Sequence, residues 1–334
     1  MNVDRTLAAA ALAGLLAASP ARAHHGVAAV SLAGAEGPGA ALETTSALQL
    51  PERSLFVLAK TEYVPFQQRA FAEPENKDYS LFSNLALGYG LRPWLAAYLF
   101  QPFSVKAQDA IGASAGVGDP SLMLVLGFKY DEGLRLVPEK ESLDELEDWH
   151  FSLWASTTLP IGAVDRRDDQ GFYFEPDMQS GFGSPSPAVG AAVLKELGPR
   201  LTWLADASYQ HFLAHRYDFT RYQFGGELRV DTALAWRVHA DARQRVDLVG
   251  ELLGLHLSRD REENADGELE ALESSGGAIL YAAAGLRYTA GPVSAAVGIR
   301  RAALRRLNEG GEQQGSEGLE RYRATFALSW SVGL

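Results

Sequence analysis

The residues able to do chemistry in this 334-residue chain fall into three groups. The first is His150-Phe151-Ser152, which in an extended chain puts an imidazole and a hydroxyl on one side, the base and nucleophile of a lipid hydrolase. Such a pair also needs a group to orient the histidine and an oxyanion hole, and no Asn or Asp stands at matching spacing. An interfacial histidine is the simpler reading, so neither an enzyme nor a cofactor is expected. The second group is His24-His25, which could chelate copper through an α-amine if processing leaves His24 first. Nothing obvious completes that site, although His211 and His215 share a later loop, so a tail without metal is the expectation. The third group is a set of charges at alternate positions of extended segments: Lys60, Glu62, Lys129, Asp206, Glu227, Arg229, Asp231, Asp247, Glu251, Arg287, Arg300 and Arg323.

Charges placed this way must be positioned by strands, and the composition says which kind. Cysteine is absent, so disulfide scaffolds, thiolate metal clusters and cysteine nucleophiles are excluded. A net charge of −12 makes nucleic acid a poor partner. Mean hydropathy is −0.10, and beyond the N-terminus no run nears the roughly 18 apolar residues of a membrane helix. A membrane β-barrel survives this test, because its lipid-facing residues alternate with polar ones.

Residues 1–23 read as a signal peptide, with Arg5, an apolar stretch from Leu7 to Ala18 and the small-residue site Ala21-Arg22-Ala23. Residues 24–50 read as a lead-in of small residues, and 51–334 as one barrel domain. Period-two segments bounded by Gly, Pro, Asn and Asp predict twelve strands, near 54–65, 79–89, 94–105, 120–130, 149–160, 187–197, 201–212, 222–237, 245–258, 276–288, 293–302 and 322–334.

In the last strand Tyr322, Ala324, Phe326, Leu328, Trp330, Val332 and Leu334 share one face, and Arg323, Thr325, Ala327, Ser329, Ser331 and Gly333 the other. The eighth repeats the split, with Phe224, Leu228, Val230, Leu234 and Trp236 opposing Gln223, Glu227, Arg229 and Asp231. A soluble sandwich could alternate too, but loop lengths discriminate. Connections alternate between short turns such as Gly198-Pro199-Arg200 and long polar loops, as an outer-membrane barrel gives with both termini in the periplasm. Residues 131–148 break the pattern, being long on the periplasmic side, and 138–147 read as a short acidic helix. Aromatic residues near strand ends (Tyr63, Phe66, Tyr89, Trp94, Tyr130, Trp149, Phe212, Tyr222, Tyr288 and Tyr322) predict interfacial girdles. The acidic stretch 259–273 reads as a solvated loop that could attract divalent cations near lipopolysaccharide.

Four stretches resemble one known family: Thr44-Thr45-Ser46-Ala47-Leu48-Gln49-Leu50-Pro51, Gly116-Val117-Gly118-Asp119-Pro120, Thr158-Leu159-Pro160-Ile161-Gly162 and Gly183-Ser184-Pro185-Ser186-Pro187-Ala188-Val189-Gly190. The chain is similar there to the outer-membrane proteins labelled as phenol-degradation meta-pathway transporters. That resemblance spans about residues 44–334 and implies passive transport of aromatic or other hydrophobic compounds. It brings no substrate residues with it.

The expected protein is therefore an all-β, single transmembrane antiparallel β-barrel of about twelve strands, with long extracellular loops and mostly short periplasmic turns, in the bacterial outer membrane. Alternation puts the twelve charged residues in the lumen, six of each sign, with those of the eighth and ninth strands forming one network with Arg287, Arg300 and Arg323. Passive transport or binding of a small molecule is the leading function. A structural or adhesive barrel with a shut lumen and working acidic loops is the alternative, and an outer-membrane lipid hydrolase the third. Expected partners are outer-membrane lipid, lipopolysaccharide, the barrel assembly machinery and a small solute, with the barrel a monomer.

Overall fold

The computed structural model describes residues 40–68, 77–109, 112–139, 148–241, 243–308 and 317–333. The expected signal segment, His24, His25 and residues 140–147 of the expected acidic helix lie outside these.

Twelve long strands follow one another along the chain: β1 (Ser54–Pro65), β2 (Lys77–Arg92), β3 (Leu95–Gln108), β4 (Ser121–Tyr130), β5 (Trp149–Thr158), β6 (Pro187–Gly198), β7 (Leu201–Gln210), β8 (Glu227–Ala240), β9 (Gln244–Leu257), β10 (Gly277–Ala290), β11 (Val293–Leu307) and β12 (Arg323–Gly333). Each pairs antiparallel with the next, and β1 pairs with β12 from Ser54↔Gly333 to Tyr63↔Ala324. The wall thus closes on itself, which pairs its backbone groups internally as a lipid surround requires.

The side chains sort as the alternation predicts. On β12, Phe326, Leu328 and Trp330 are 51%, 45% and 40% exposed, whereas Arg323, Thr325 and Ser329 are buried. Apolar residues outside and charges inside are the reverse of a water-soluble sandwich. Tyr63, Tyr89, Tyr130, Trp149 and Tyr288 are exposed near strand ends, as girdle residues would be.

Three expected girdle residues are not in a girdle. Phe66 packs with Val64 and Phe82. Phe212 and Tyr222 belong to a buried aromatic cluster with Tyr217 and Phe224, against Phe182, at the outer end of the barrel. Phe224 is thus not lipid-facing, because β8 begins only after Gly225-Gly226. The preceding Arg221–Gln223 instead joins a small outer sheet with His215–Arg216, Arg261–Glu263 and Leu269–Ala271, so the acidic stretch is a hairpin. On the periplasmic side, Leu134–Leu136 folds back on Phe128–Tyr130 and takes the place beside β4 that β3 leaves empty before Leu95.

An irregular seam runs through the outer wall at β3. The β3–β4 ladder ends at Phe100↔Ser121, and Pro102, with no N–H to give, marks the change of partner. Beyond it Phe103–Gln108 pair with a short return strand, Gly112–Val117. The far edge of that strand meets the 158–187 connection where Ala163 N–H donates to Val117 O at 3.0 Å, and Gly181 N–H then donates to Ala163 O at 2.9 Å within the connection itself.

Candidate functional site

The described part of the lead-in does not lie outside the barrel: residues 40–50 occupy its lumen, with Ala41, Thr44, Ala47 and Leu50 fully buried. The segment enters near the periplasmic end of β10, where Arg287 Nε donates to Ala40 O at 3.0 Å and the same guanidinium to Ala41 O. It rises to mid-height at Glu43–Thr45, descends past Gln49 and Leu50, and joins β1 at the periplasmic rim. We call it the plug.

Ala40-Ala41-Leu42-Glu43-Thr44-Thr45-Ser46-Ala47 suits this place because its side chains are mostly small. An irregular backbone in a dry interior still needs partners for its N–H groups, and inward carboxylates supply them. Glu251 accepts from the Leu42 N–H and from the Glu43 N–H, the latter at 3.0 Å to Oε2. Asp206 accepts from the Thr45 N–H at 2.7 Å. The Glu43 carboxylate in turn receives Lys60 Nζ at 2.8 Å and Thr325 Oγ1 at 3.0 Å. Two wall glycines make room: a Cβ at Gly127 would lie 2.1 Å from Gln49 Cγ, and one at Gly298 would lie 2.6 Å from Leu42 Cδ1.

The twelve charges singled out by alternation all point away from lipid, but they do not form one network. Lys60 is shared between Glu43 and Glu62, the latter at 2.9 Å. Arg323 bridges Glu62 and Glu317 at 2.9 and 2.8 Å, and Arg300 stands 4.0 Å from Glu43 and 3.9 Å from Glu317. Elsewhere the pairs are local: Lys129–Asp148 at 2.9 Å, Arg229–Glu227 at 2.7 Å and Arg245–Asp247 at 2.6 Å. Glu251, Asp206 and Arg287 turn to the plug, and Asp231 lies opposite Asp206 on the neighbouring strand. The single network fails because plug and loop residues stand between the strands.

Glu43 and Glu317 were not found by alternation, since neither lies on a strand. The same holds for Asp119 and Asp177, which organise the outer cap. Asp119 accepts from the N–H groups of Gly162, Phe182 and Gly183 at 2.7, 2.6 and 3.3 Å. Asp177 pairs with Lys77, while Lys106 Nζ donates to the carbonyls of Asp177 and Gln179 at 2.6 and 2.7 Å. The one available signal was Gly118-Asp119-Pro120, a turn motif with a carboxylate at its centre. In the same cap, burial pushes the His215 imidazole down from its ordinary pKa. In the outer sheet, the hydrogen bond from Arg216 holds Glu263 below the usual carboxylate value.

Between the plug and the β4–β8 wall remains a small cavity of about 60 Å³, with Glu43, Trp154, Ser156, Asp206, Arg229 and Asp231 in its lining. Ser121 Oγ and Trp154 Nε1, also on its wall, make no hydrogen bond with any described residue. His150 and Ser152 point inward and are buried, and Ser152 Oγ bonds to no described residue, so imidazole and hydroxyl are not coupled. Among the described residues no three His, Asp or Glu side chains converge as a metal site.

No protein-family model and no curated protein sequence matches the chain. Its fold does match solved structures. An outer membrane channel from Pseudomonas putida F1 aligns at 14% identity over 86% of this chain and 98% of that one, with a TM-score of 0.63. The β domain of the Bordetella autotransporter BrkA aligns at 10% identity over 84% and 99%, with a TM-score of 0.41. The first likeness establishes the fold. Together with the closed wall and its apolar exterior, it makes this chain a transmembrane β-barrel of the bacterial outer membrane.

Proposed function

We propose that the protein is a plugged outer-membrane channel that binds or passes a small molecule without energy input, with residues 40–50 as its gate. The observation carrying this reading is the plug itself. A barrel needing only a solid core can fill it with side chains, as small barrels do. Here the filling is a separate stretch of backbone held by side-chain clamps, with a polar cavity beside it. Its removal would leave the wall ladder intact and the lumen lined by charges of both signs.

The cargo is proposed to be an aromatic or other hydrophobic compound. Trp154, Leu253, Leu255 and Tyr281 around the cavity support that, and the sequence resemblance to phenol-degradation meta-pathway transporters points the same way. The tied outer cap favours a second reading, a structural barrel that never opens. Planar-bilayer recordings of the intact protein and of a deletion of residues 40–50 separate the two. Larger or more frequent current steps in the deletion support the gate. Silence from both, in protein that folds into vesicles, supports the closed barrel.

A further inference from the structure

The outward face of β9–β11 carries an unusual feature at its extracellular end. Across the sheet, His256 on β9, Ala278 on β10 and Arg306 on β11 stand in one row. Nearer the membrane, Ala282 and Arg301 pair in the same way. His256, Arg301 and Arg306 are all exposed on the side that Val297 and Ile299, 50% and 54% exposed, present to lipid. Arg301 follows the inward Arg300, which pairs with Arg323, so it is level with Tyr322 at the outer edge of the apolar belt.

An outward arginine is costly at the bilayer midplane and close to neutral at the interface, so its position there is allowed but not explained. Neighbouring acids would explain it, yet the outward faces of β8 to β12 carry no Asp or Glu among the described residues. Neither the Arg301 nor the Arg306 side chain makes an ion pair or hydrogen bond with any described residue. Arg305 between them is different, its Nη1 donating to Gly318 O at 3.0 Å. In a chain of net charge −12 this is a local reversal of sign. The alanines between the long side chains leave a shallow floor between cations.

We propose that this face binds the phosphorylated glucosamine headgroup of lipid A in the outer leaflet. Arg301 meets the headgroup phosphate at the top of the acyl region, and Arg306, with His256 across Ala278, engages the anionic groups above it. The guanidinium fork suits phosphate oxygens in paired hydrogen bonds, and the long stems let the charged heads rise to the interface. Val297 and Ile299 below would lie against the acyl chains. This assignment rests on the barrel's place in the outer membrane and not on whether its lumen conducts.

The test is native mass spectrometry of the full-length protein released from detergent, with bis-phosphorylated lipid A, enzymatically dephosphorylated lipid A and phosphatidylglycerol as probes. Wild type is expected to retain phosphorylated lipid A at least tenfold better than the dephosphorylated form. R301Q/R306Q should lose that preference, while T61Q, outward on β1, should keep it. Should the double variant fail to show the heat-modifiable mobility of a folded barrel, R306Q alone, above the apolar belt, carries the test with a partial loss. Equal retention of the two lipid A forms by wild type, or an unchanged preference in the arginine variants, overturns the proposal. Phosphatidylglycerol held as well as lipid A also overturns it, as the mark of a general anionic surface.

Discussion

Lys60 on β1 stands 2.8 Å from Glu43 of the plug, so the lumenal segment is tied to the wall strand that follows it in the chain. Glu43 therefore reaches one charge of the wall with its carboxylate while its own N–H is held by another, Glu251. The clamp predicts what loosens the plug. In E251A the Leu42 and Glu43 N–H groups lose their acceptor, and each such loss costs about 1–3 kcal/mol in a dry interior. Because the chain has no cysteine, T44C gives a single reporter at a fully buried position. Its reaction with a water-soluble maleimide should be slow in the parent and at least about tenfold faster in E251A, the factor that roughly 1.4 kcal/mol sets. Equal rates would show that the plug does not depend on the clamp.

The glycine seat gives an independent way to move the same segment. Gly298 faces Leu42, whose Cδ1 a new Cβ would meet at 2.6 Å, while the nearest backbone atom, Ala284 O, is 3.4 Å away. G298V should expel Leu42 without disturbing the wall and raise T44C labelling. Gly250, with nothing within 4 Å of a Cβ, is the control, and G250A should leave labelling unchanged.

The barrel itself was readable because two periods coincide: side chains alternate every second residue, and short and long connections alternate from strand to strand. The side-chain alternation holds along the wall, where Arg229, Asp247 and Arg323 lie on the face opposite the exposed apolar residues. What failed has a common cause. The plug has no periodicity, and an irregular chain buried by its small size looks like a lead-in. Glu43 and Glu317 sit on such segments, so the ion pairs they complete could not be drawn by connecting strand to strand. Phe212, Tyr222 and Phe224 were misplaced for a related reason: aromatic residues at a strand end look alike whether they face a membrane interface or a folded loop.

The two faces of β12 predict unequal tolerance of charge. Phe326 lies midway between Tyr322 and Trp330 and is 51% exposed to the lipid side. F326R should destabilise the barrel by about 2–4 kcal/mol, the cost of arginine near the midplane. S329N, inward and polar, should cost less than F326R, because it adds volume but no charge facing lipid. Folding titrations in urea into vesicles measure both, and equal losses would show the faces to be reversed.

Acid should loosen the outer sheet. Arg216 Nη2 stands 2.6 Å from Glu263 Oε1, and that hydrogen bond holds the carboxyl below its ordinary pKa. A depressed carboxylate adds stability above the pKa of the unfolded chain and loses it as pH falls through the folded value. The contact should therefore be intact at neutral pH and fail only below the usual carboxylate range. In R216A the Glu263 side-chain NMR titration should move back toward the ordinary glutamate value, whereas an unmoved midpoint would mean that Arg216 does not set it.

Asp119 closes the seam that the wall ladder leaves open. It is 3% exposed and follows directly on the return strand, from where its two oxygens receive three N–H groups belonging to both limbs of the 158–187 connection. The Gln179 side chain joins the same connection lower down, at Arg166 and Phe174, and Val164 and Phe182 both pack on the aromatic cluster. D119A would leave three half-buried donors without their acceptor, each at no more than the roughly 1–3 kcal/mol of a fully buried one, and together enough to loosen an irregular loop. The β1–β12 and β3–β4 ladders are untouched by the change, so the barrel should still assemble. Protease added to intact cells should then cut between residues 163 and 182 several-fold faster than in wild type, with the periplasmic turns still protected. D119N should fall between the two, because its amide keeps one acceptor oxygen but turns an NH2 toward donors. Cleavage at the wild-type rate in D119A would mean that the aromatic cluster of Phe182, Phe212 and Phe224 holds the cap unaided, and that the carboxylate is there for another purpose.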